Sequence, residues 1–172
     1  MRFLKFGGTL LVALTVHLVG VQIYPNFSVV FDVFLVALIF HALDGNLLAA
    51  MLGGLAAGIL TDGVTGGLYG LFGVVDTIVG YAAAFAARRL VIQRPWSIAV
   101  LISLGAVLQQ LLILVLRFLL VPLQALPSIP WAFSKVVTSG LVGFAVYVVL
   151  KQYRRRTASW RRNRTNKIRF SR

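Results

Sequence analysis

The chain has 172 residues, enough for one ordinary soluble domain, yet 59% of them are hydrophobic, only 12% are charged and the mean hydropathy is +0.91. Apolar runs recur along nearly the whole length, and a soluble fold of this size could not bury them all in one core. This composition excludes an ordinary soluble protein and predicts a polytopic membrane protein. The absence of cysteine also excludes disulfides and cysteine-ligated metals.

The first three predicted spans occupy the N-terminal 60 residues. The first covers about residues 6–23; it resembles a signal peptide but lacks a small-x-small cleavage site before Pro25, so we expect an uncleaved helix. The second covers about residues 29–43 and the third about residues 47–60. As helices, the second and third spans would each be roughly 22 Å long, which is shorter than a hydrocarbon core of about 30 Å. They therefore form either short tilted spans or a re-entrant hairpin.

Three further spans are predicted at about residues 68–87, 97–121 and 131–150. The sequence thus predicts an all-α transmembrane bundle of about six helices over residues 1–150, followed by a basic cytoplasmic tail over 151–172. Lysine and arginine in short loops mark the cytoplasmic side. They cluster at residues 2–5, at 88–94 and in the tail, whereas loops 24–28, 61–67 and 122–130 contain none. Both termini are therefore predicted to be cytoplasmic.

Small residues recur at helical spacing on the third and fourth spans. Close backbone approach at such residues supplies much of the association between membrane helices. The pattern predicts a small-residue seam, which favours packing inside the bundle; the alternative is that part of it docks a helix from another protein. The seam comprises Ala50, Gly54, Gly58, Gly66, Gly70, Gly73 and Gly80.

Two of the four aspartates are predicted to lie within this packed region. An ionisable group inside a span is costly and is usually retained for a partner or a function. Asp76 flanks the seam on the fourth helix, and Asp62 ends the third helix, where the helix dipole disfavours an anion. We therefore predict that Asp62 pairs with a cation near the outer ends of the later helices, either Arg117 or Lys135.

The remaining polar residues within the spans do not indicate an active site. Asp32 opens the second helix and Asp44 lies in a turn, so both are predicted to be caps. His41 and Asp44 could share a metal, but neither a second nearby histidine nor a cysteine supports such a site. Gln109 and Gln110 are predicted to form interhelical hydrogen bonds. No catalytic motif is present, so we expect neither an enzyme nor a cofactor.

The basic tail has a separate interpretation. Ten of the 17 basic residues follow Leu150, and aromatic residues are interleaved with them. Such a segment is typical of contact with anionic lipid, at about 1 kcal/mol per basic residue near the surface. Cytoplasmic proteins with acidic patches are the alternative, and no nucleic-acid-binding fold accompanies the charge. The predicted contact residues include Arg154, Arg155, Arg156, Arg161 and Arg162.

The order of these features resembles a known family. The features that carry the similarity are a basic start, Pro25, an aspartate opening the second span, the run GGLAAGILTD, a glycine pair, and LYGLFGVVDTIVGY leading to Arg88-Arg89. Taken together, they are similar to the bacterial rod shape-determining protein MreD family. The resemblance in length and span order covers roughly residues 1–150. Gly54, Gly58, Asp62 and Gly70 would be its packing and assembly residues.

This resemblance implies a non-enzymatic inner-membrane component of the cell-elongation machinery. Its partners would be the bitopic protein MreC, the glycosyltransferase RodA with its transpeptidase partner, and the actin-like MreB, in directing peptidoglycan synthesis. The family is also similar in fold to the six-helix substrate-binding subunits of vitamin uptake transporters. A solute-binding subunit of an energy-coupling transporter is therefore the alternative function, and an alanine-rich stripe at residues 82–87 is compatible with it.

Overall fold

A computed structural model of the chain describes residues 2–66, 68–89, 95–120, 133–149 and 152. Within these ranges the fold is all-helical, as the sequence predicts, and the predicted second span is divided into two helices. The helices are α1 (Arg2–Ile23), α2 (Phe27–Val30), α3 (Val33–Ala42), α4 (Leu47–Thr65), α5 (Leu71–Arg89), α6 (Pro95–Leu120) and α7 (Phe133–Val149). Apart from Gln152, the predicted basic tail lies outside the described residues.

Four of these helices, α1, α4, α5 and α6, are long and apolar enough to cross a membrane. The third span is predicted to end at about residue 60, but the corresponding helix, α4, continues to Thr65. It has 19 residues and is about 28 Å long. It ends at Gly66, whose φ of 65° is a left-handed conformation that glycine adopts without strain. By contrast, α3 has only 10 residues, a length of about 15 Å.

Helices α4 and α5 form an antiparallel hairpin with very close backbone contact. A β-carbon added at Gly54 would overlap the carbonyl oxygen of Asp76, and one at Gly58 would overlap that of Phe72. A β-carbon at Gly80 would overlap the carbonyl oxygen of Ala50 in the same way. Because only glycine lacks this atom, the sequence of small residues sets the distance between the two helices.

Helix α3 lies at the centre of the bundle although it has only 10 residues. On one side Phe34 and Leu38 pack with Leu10 of α1 and Ala57 of α4. An adjacent side of α3 belongs to a larger cluster shared with α5 and α6. Its fully buried members include Leu35, Ile39, Val75, Val79 and Ile102. Burial on both sides stabilises a helix too short to cross the bilayer alone.

Candidate functional site

The helix formed by α2 and α3 is broken inside the bundle. Phe31 and Asp32 adopt extended backbone conformations between the two segments, with φ values of −138° and −111°. The Asp32 side chain caps the restarted helix, because its Oδ1 accepts a hydrogen bond from the Leu35 N–H at 2.9 Å. The capping role predicted for Asp32 is therefore confirmed, and the break separates α2 from α3 at this residue.

Helix α7 supplies hydrogen-bond partners to the broken backbone. The Thr138 hydroxyl donates to the carbonyl oxygen of Val30, and the Asp32 N–H donates to the Ser139 Oγ at 3.4 Å. Non-helical backbone at membrane depth is tolerated only where the protein satisfies its polar groups in this way. The polar side of α7 therefore stabilises the break in the neighbouring helix.

Four buried side chains meet beside this break, and we call them the polar cluster: Asp32, Asp76, Gln109 and Lys135. The Lys135 Nζ lies 3.0 Å from the Asp32 Oδ2 and forms an ion pair with it. The Gln109 Nε2 donates to the Asp32 Oδ2 at 3.1 Å and to the Asp76 Oδ1 at 2.8 Å. None of the four residues is more than 7% exposed. The cluster thus links α5, α6 and α7 to the start of α3.

The electrostatic balance of the polar cluster is incomplete. Two carboxylates face one ammonium group, which leaves a formal charge of −1 if both acids are ionised. In addition, neither the Asp76 Oδ2 nor the Gln109 Oε1 has a hydrogen-bond partner among the described residues, although both atoms are buried. Buried polar atoms are hydrogen-bonded in the great majority of cases, so these two oxygens are exceptional within the bundle.

Asp62 forms a separate polar contact, and the ion pair predicted for it is wrong. Its carboxylate accepts hydrogen bonds from the N–H groups of Gly70 at 2.9 Å, Phe72 at 3.1 Å and Gly73 at 3.2 Å. These groups belong to the start of α5, where unpaired N–H groups and the positive end of the helix dipole stabilise an anion. The compensating positive charge therefore comes from a helix terminus rather than from a cation.

The two predicted partners of Asp62 have other positions. Lys135 pairs with Asp32, as described above. Arg117 lies half-buried near the end of α6, and none of the four aspartates, all of which are described, is within ion-pair distance of it. Asp76, which is predicted to flank the small-residue seam, does so: its carbonyl oxygen faces Gly54 while its carboxylate belongs to the polar cluster.

The small-residue seam lies mainly at the contact between α4 and α5. Ala50, Gly54, Gly58 and Gly80 form the closest part of that contact. Gly66 and Gly70 lie in the connection between the helices, with φ values of 65° and 89°, and the Gly73 N–H is bound by Asp62. The small-residue surfaces of α4 and α5 therefore pack against each other, which leaves no room between them for a helix of another protein.

The histidines pack against aromatic rings. The His41 ring stacks on Phe6 with a centroid distance of 4.0 Å, and His17 lies 5.4 Å from the Phe34 ring. Within the described ranges, no group of three or more metal-ligating side chains comes together. Arg154, Arg155, Arg156, Arg161 and Arg162, predicted to contact lipid, lie outside the described residues.

Sequence reasoning missed the partners within the polar cluster. It predicts interhelical hydrogen bonds for Gln109, and these are confirmed, but it does not identify Asp32 and Asp76 as the acceptors. One signal could have found the ion pair. Asp32 and Lys135 each follow a predicted outer loop by a few residues, so the predicted topology already places them at similar depth.

Comparisons with known proteins assign no function to this arrangement. The chain matches no protein family, no curated protein and no solved structure. Function is therefore inferred from the sequence, from the fold and from the contacts of the described residues. The two carboxylates, the ammonium group and the amide of the cluster can bind and release a proton or another cation. Their contacts also hold α3, α5, α6 and α7 together.

Proposed function

We propose that the protein is a non-enzymatic scaffold of the bacterial cell-elongation machinery, of the MreD type. The observation that supports this proposal is the structure of the α4–α5 hairpin, which contains the glycine-rich run GGLAAGILTD and most of LYGLFGVVDTIVGY, two of the segments on which the resemblance to that family rests. Gly54 and Gly58 lie at its closest backbone contact, and Asp62 is hydrogen-bonded to the Gly70 N–H. The four residues carried over from the resemblance thus hold one compact unit together.

The proposed location is the inner membrane, with both termini in the cytoplasm. Arg88 and Arg89 end α5, and the Arg88 Nε donates to the carbonyl oxygen of Gly45 in the α3–α4 connection. This basic end of the hairpin would face the cytoplasm, because arginine in short loops is enriched on that side. The proposed partners are an MreC-like bitopic protein, RodA with its transpeptidase, and MreB.

Depletion of the protein in its rod-shaped host tests the proposal. We expect depleted cells to become wider and rounder and the wild-type chain to restore their shape. Gly54→Leu should fail to restore shape because it separates α4 from α5. Gly63→Leu is the matched control, since no heavy atom lies within 4 Å of a β-carbon added at that exposed α4 position. Unchanged cell width after depletion would contradict the proposal.

The solute-binding subunit of an energy-coupling transporter is a second candidate, and the broken α2–α3 helix favours it. Discontinuous helices beside buried ionisable groups form ion and substrate sites in several transporter folds. Copurification with an ATPase module, or a small molecule retained after gentle extraction, would support this function. Copurification with an MreC-like protein alone would support the scaffold.

A further inference from the structure

The two buried oxygens without hydrogen-bond partners belong to groups that already touch each other. The Gln109 Nε2 donates to the Asp76 Oδ1 at 2.8 Å, and the partnerless atoms are the second oxygen of that carboxyl group and the oxygen of that amide. Both residues are 0% exposed. A carboxylic acid and a primary amide form a cyclic pair with two hydrogen bonds when the acid carries its proton.

We propose that the polar cluster is a proton-binding site in which Asp76 holds one proton and donates it to Gln109. The proton would be bound to the Asp76 Oδ2 and hydrogen-bonded to the Gln109 Oε1, opposite the existing bond from Nε2 to Oδ1. One proton thereby provides a partner for both buried oxygens. It also neutralises the cluster, because the remaining carboxylate, Asp32, is balanced by Lys135.

The surroundings of Asp76 are consistent with a single bound proton. The charged groups that interact electrostatically with it are Asp32 beside the broken helix, Asp62 on α4 and Lys135 on α7. Gln109 on α6 is its neutral hydrogen-bond partner. The carboxylate of Asp62 is already bound by three N–H groups, and Asp32 is bound by Lys135 and the Leu35 N–H. Asp76 is therefore the acid on which an added proton satisfies the most buried atoms.

A proton fits the site better than an alkali metal cation does. A metal ion needs several oxygen ligands around it, whereas a proton needs only one oxygen to carry it and one to accept its hydrogen bond. Asp76 and Gln109 offer two partnerless oxygens in the described part of the cluster. Release of the proton would leave an uncompensated charge between α5 and α6, which is strongly unfavourable in an apolar interior. Proton binding would thus control how tightly these helices pack.

Infrared spectroscopy of the full-length protein in lipid vesicles tests the site directly. We expect a carbonyl band of a protonated carboxylic acid at neutral pH in wild-type protein. The band should be absent in Asp76→Asn and present in Asp62→Asn, the matched control for a buried aspartate bound by N–H groups. Absence of the band from wild-type protein at neutral pH, or its persistence in Asp76→Asn, would overturn the proposal.

Two further measurements distinguish a bound proton from a folding defect and from a bound sodium ion. Asn at position 76 has the shape and hydrogen-bond pattern of the protonated acid, so Asp76→Asn should unfold at a temperature as high as wild type, whereas Asp76→Leu should unfold earlier. Failure of Asp76→Asn to fold would therefore also count against the proton. An acid band that appears in wild-type protein only after sodium is removed would assign the site to a sodium ion and overturn the proposal.

Discussion

The ion pair between Lys135 and Asp32 makes the clearest prediction about the stability of the bundle. Lys135→Met removes the ammonium group but keeps an unbranched apolar side chain of similar length. The Asp32 carboxylate then keeps only two neutral donors, the Leu35 N–H at 2.9 Å and the Gln109 Nε2 at 3.1 Å. Because Asp32 is only 4% exposed, water cannot replace the missing charge.

The expected magnitude follows from the distance and the burial. Coulomb's law with an effective dielectric constant of about 20 gives an attraction of about 5.5 kcal/mol for unit charges separated by the observed 3.0 Å. Removing one partner of a buried pair costs about 3–5 kcal/mol in measured cases, because the other charge stays buried without compensation. We expect a loss of that size in the free energy of unfolding for Lys135→Met, and a similar loss for Asp32→Asn.

A double-mutant cycle distinguishes this pair from two independent contacts. Asn at position 32 keeps the helix cap while removing the charge, so the double variant Asp32→Asn/Lys135→Met contains neither a buried charge nor a broken cap. We expect it to be no less stable than either single variant, with a coupling energy of at least about 2 kcal/mol. Exchanging the two charged residues should not restore stability, because Lys at position 32 cannot cap α3.

The assay is reversible unfolding in mixed detergent micelles, followed by the loss of helical circular dichroism. Stability losses of the two single variants that simply add in the double variant would refute the reasoning. So would a loss below about 1 kcal/mol for Lys135→Met, since that is the value of an exposed ion pair.

Three further predictions use the same unfolding assay with matched controls. Gly58→Ala should lower the free energy of unfolding by about 1–3 kcal/mol through overpacking, whereas Gly63→Ala should not; equal effects would contradict the close α4–α5 contact. Asp62→Leu should cost about 2–4 kcal/mol because three N–H groups at the start of α5 lose their acceptor, and a wild-type value would refute that role. Gln109→Leu should destabilise the bundle by about 1–3 kcal/mol by removing the link between two buried acids, and Gln110→Leu should have the smaller effect; the reverse order would argue against the polar cluster.

Much of the fold could be predicted because periodicity and composition act locally. Apolar runs of membrane length, the punctuation between them and the spacing of Gly54, Gly58 and Gly80 specify helices and the helix faces that approach closely. The end of α4 was less predictable. Gly63 and the polar residues beside it suggest a loop, but the chain stays helical until Gly66, where the left-handed conformation ends the helix.

The polar contacts were less predictable because each depends on three-dimensional arrangement. The position of Asp62 at a helix end predicts a cation beside it, but the fold turns the start of α5 back onto it. The break at Asp32 was also hidden, since residues 29–43 read as one apolar run. Its stability depends on Thr138 and Ser139, more than 100 residues later in the chain. Local sequence patterns place such residues at a depth in the membrane but do not specify which of them form hydrogen bonds.

The break between α2 and α3 has a consequence for synthesis of the protein. Ser139 follows Asp32 by 107 residues, so α2 and α3 leave the ribosome long before the helix that completes their hydrogen bonds. Until α7 is made, Asp32 lies in an apolar segment without Lys135. We expect chains that stop before α7 to expose this charged, non-helical segment and to be degraded by membrane proteases. Translation of α7 would then be the step that commits the chain to a stable product.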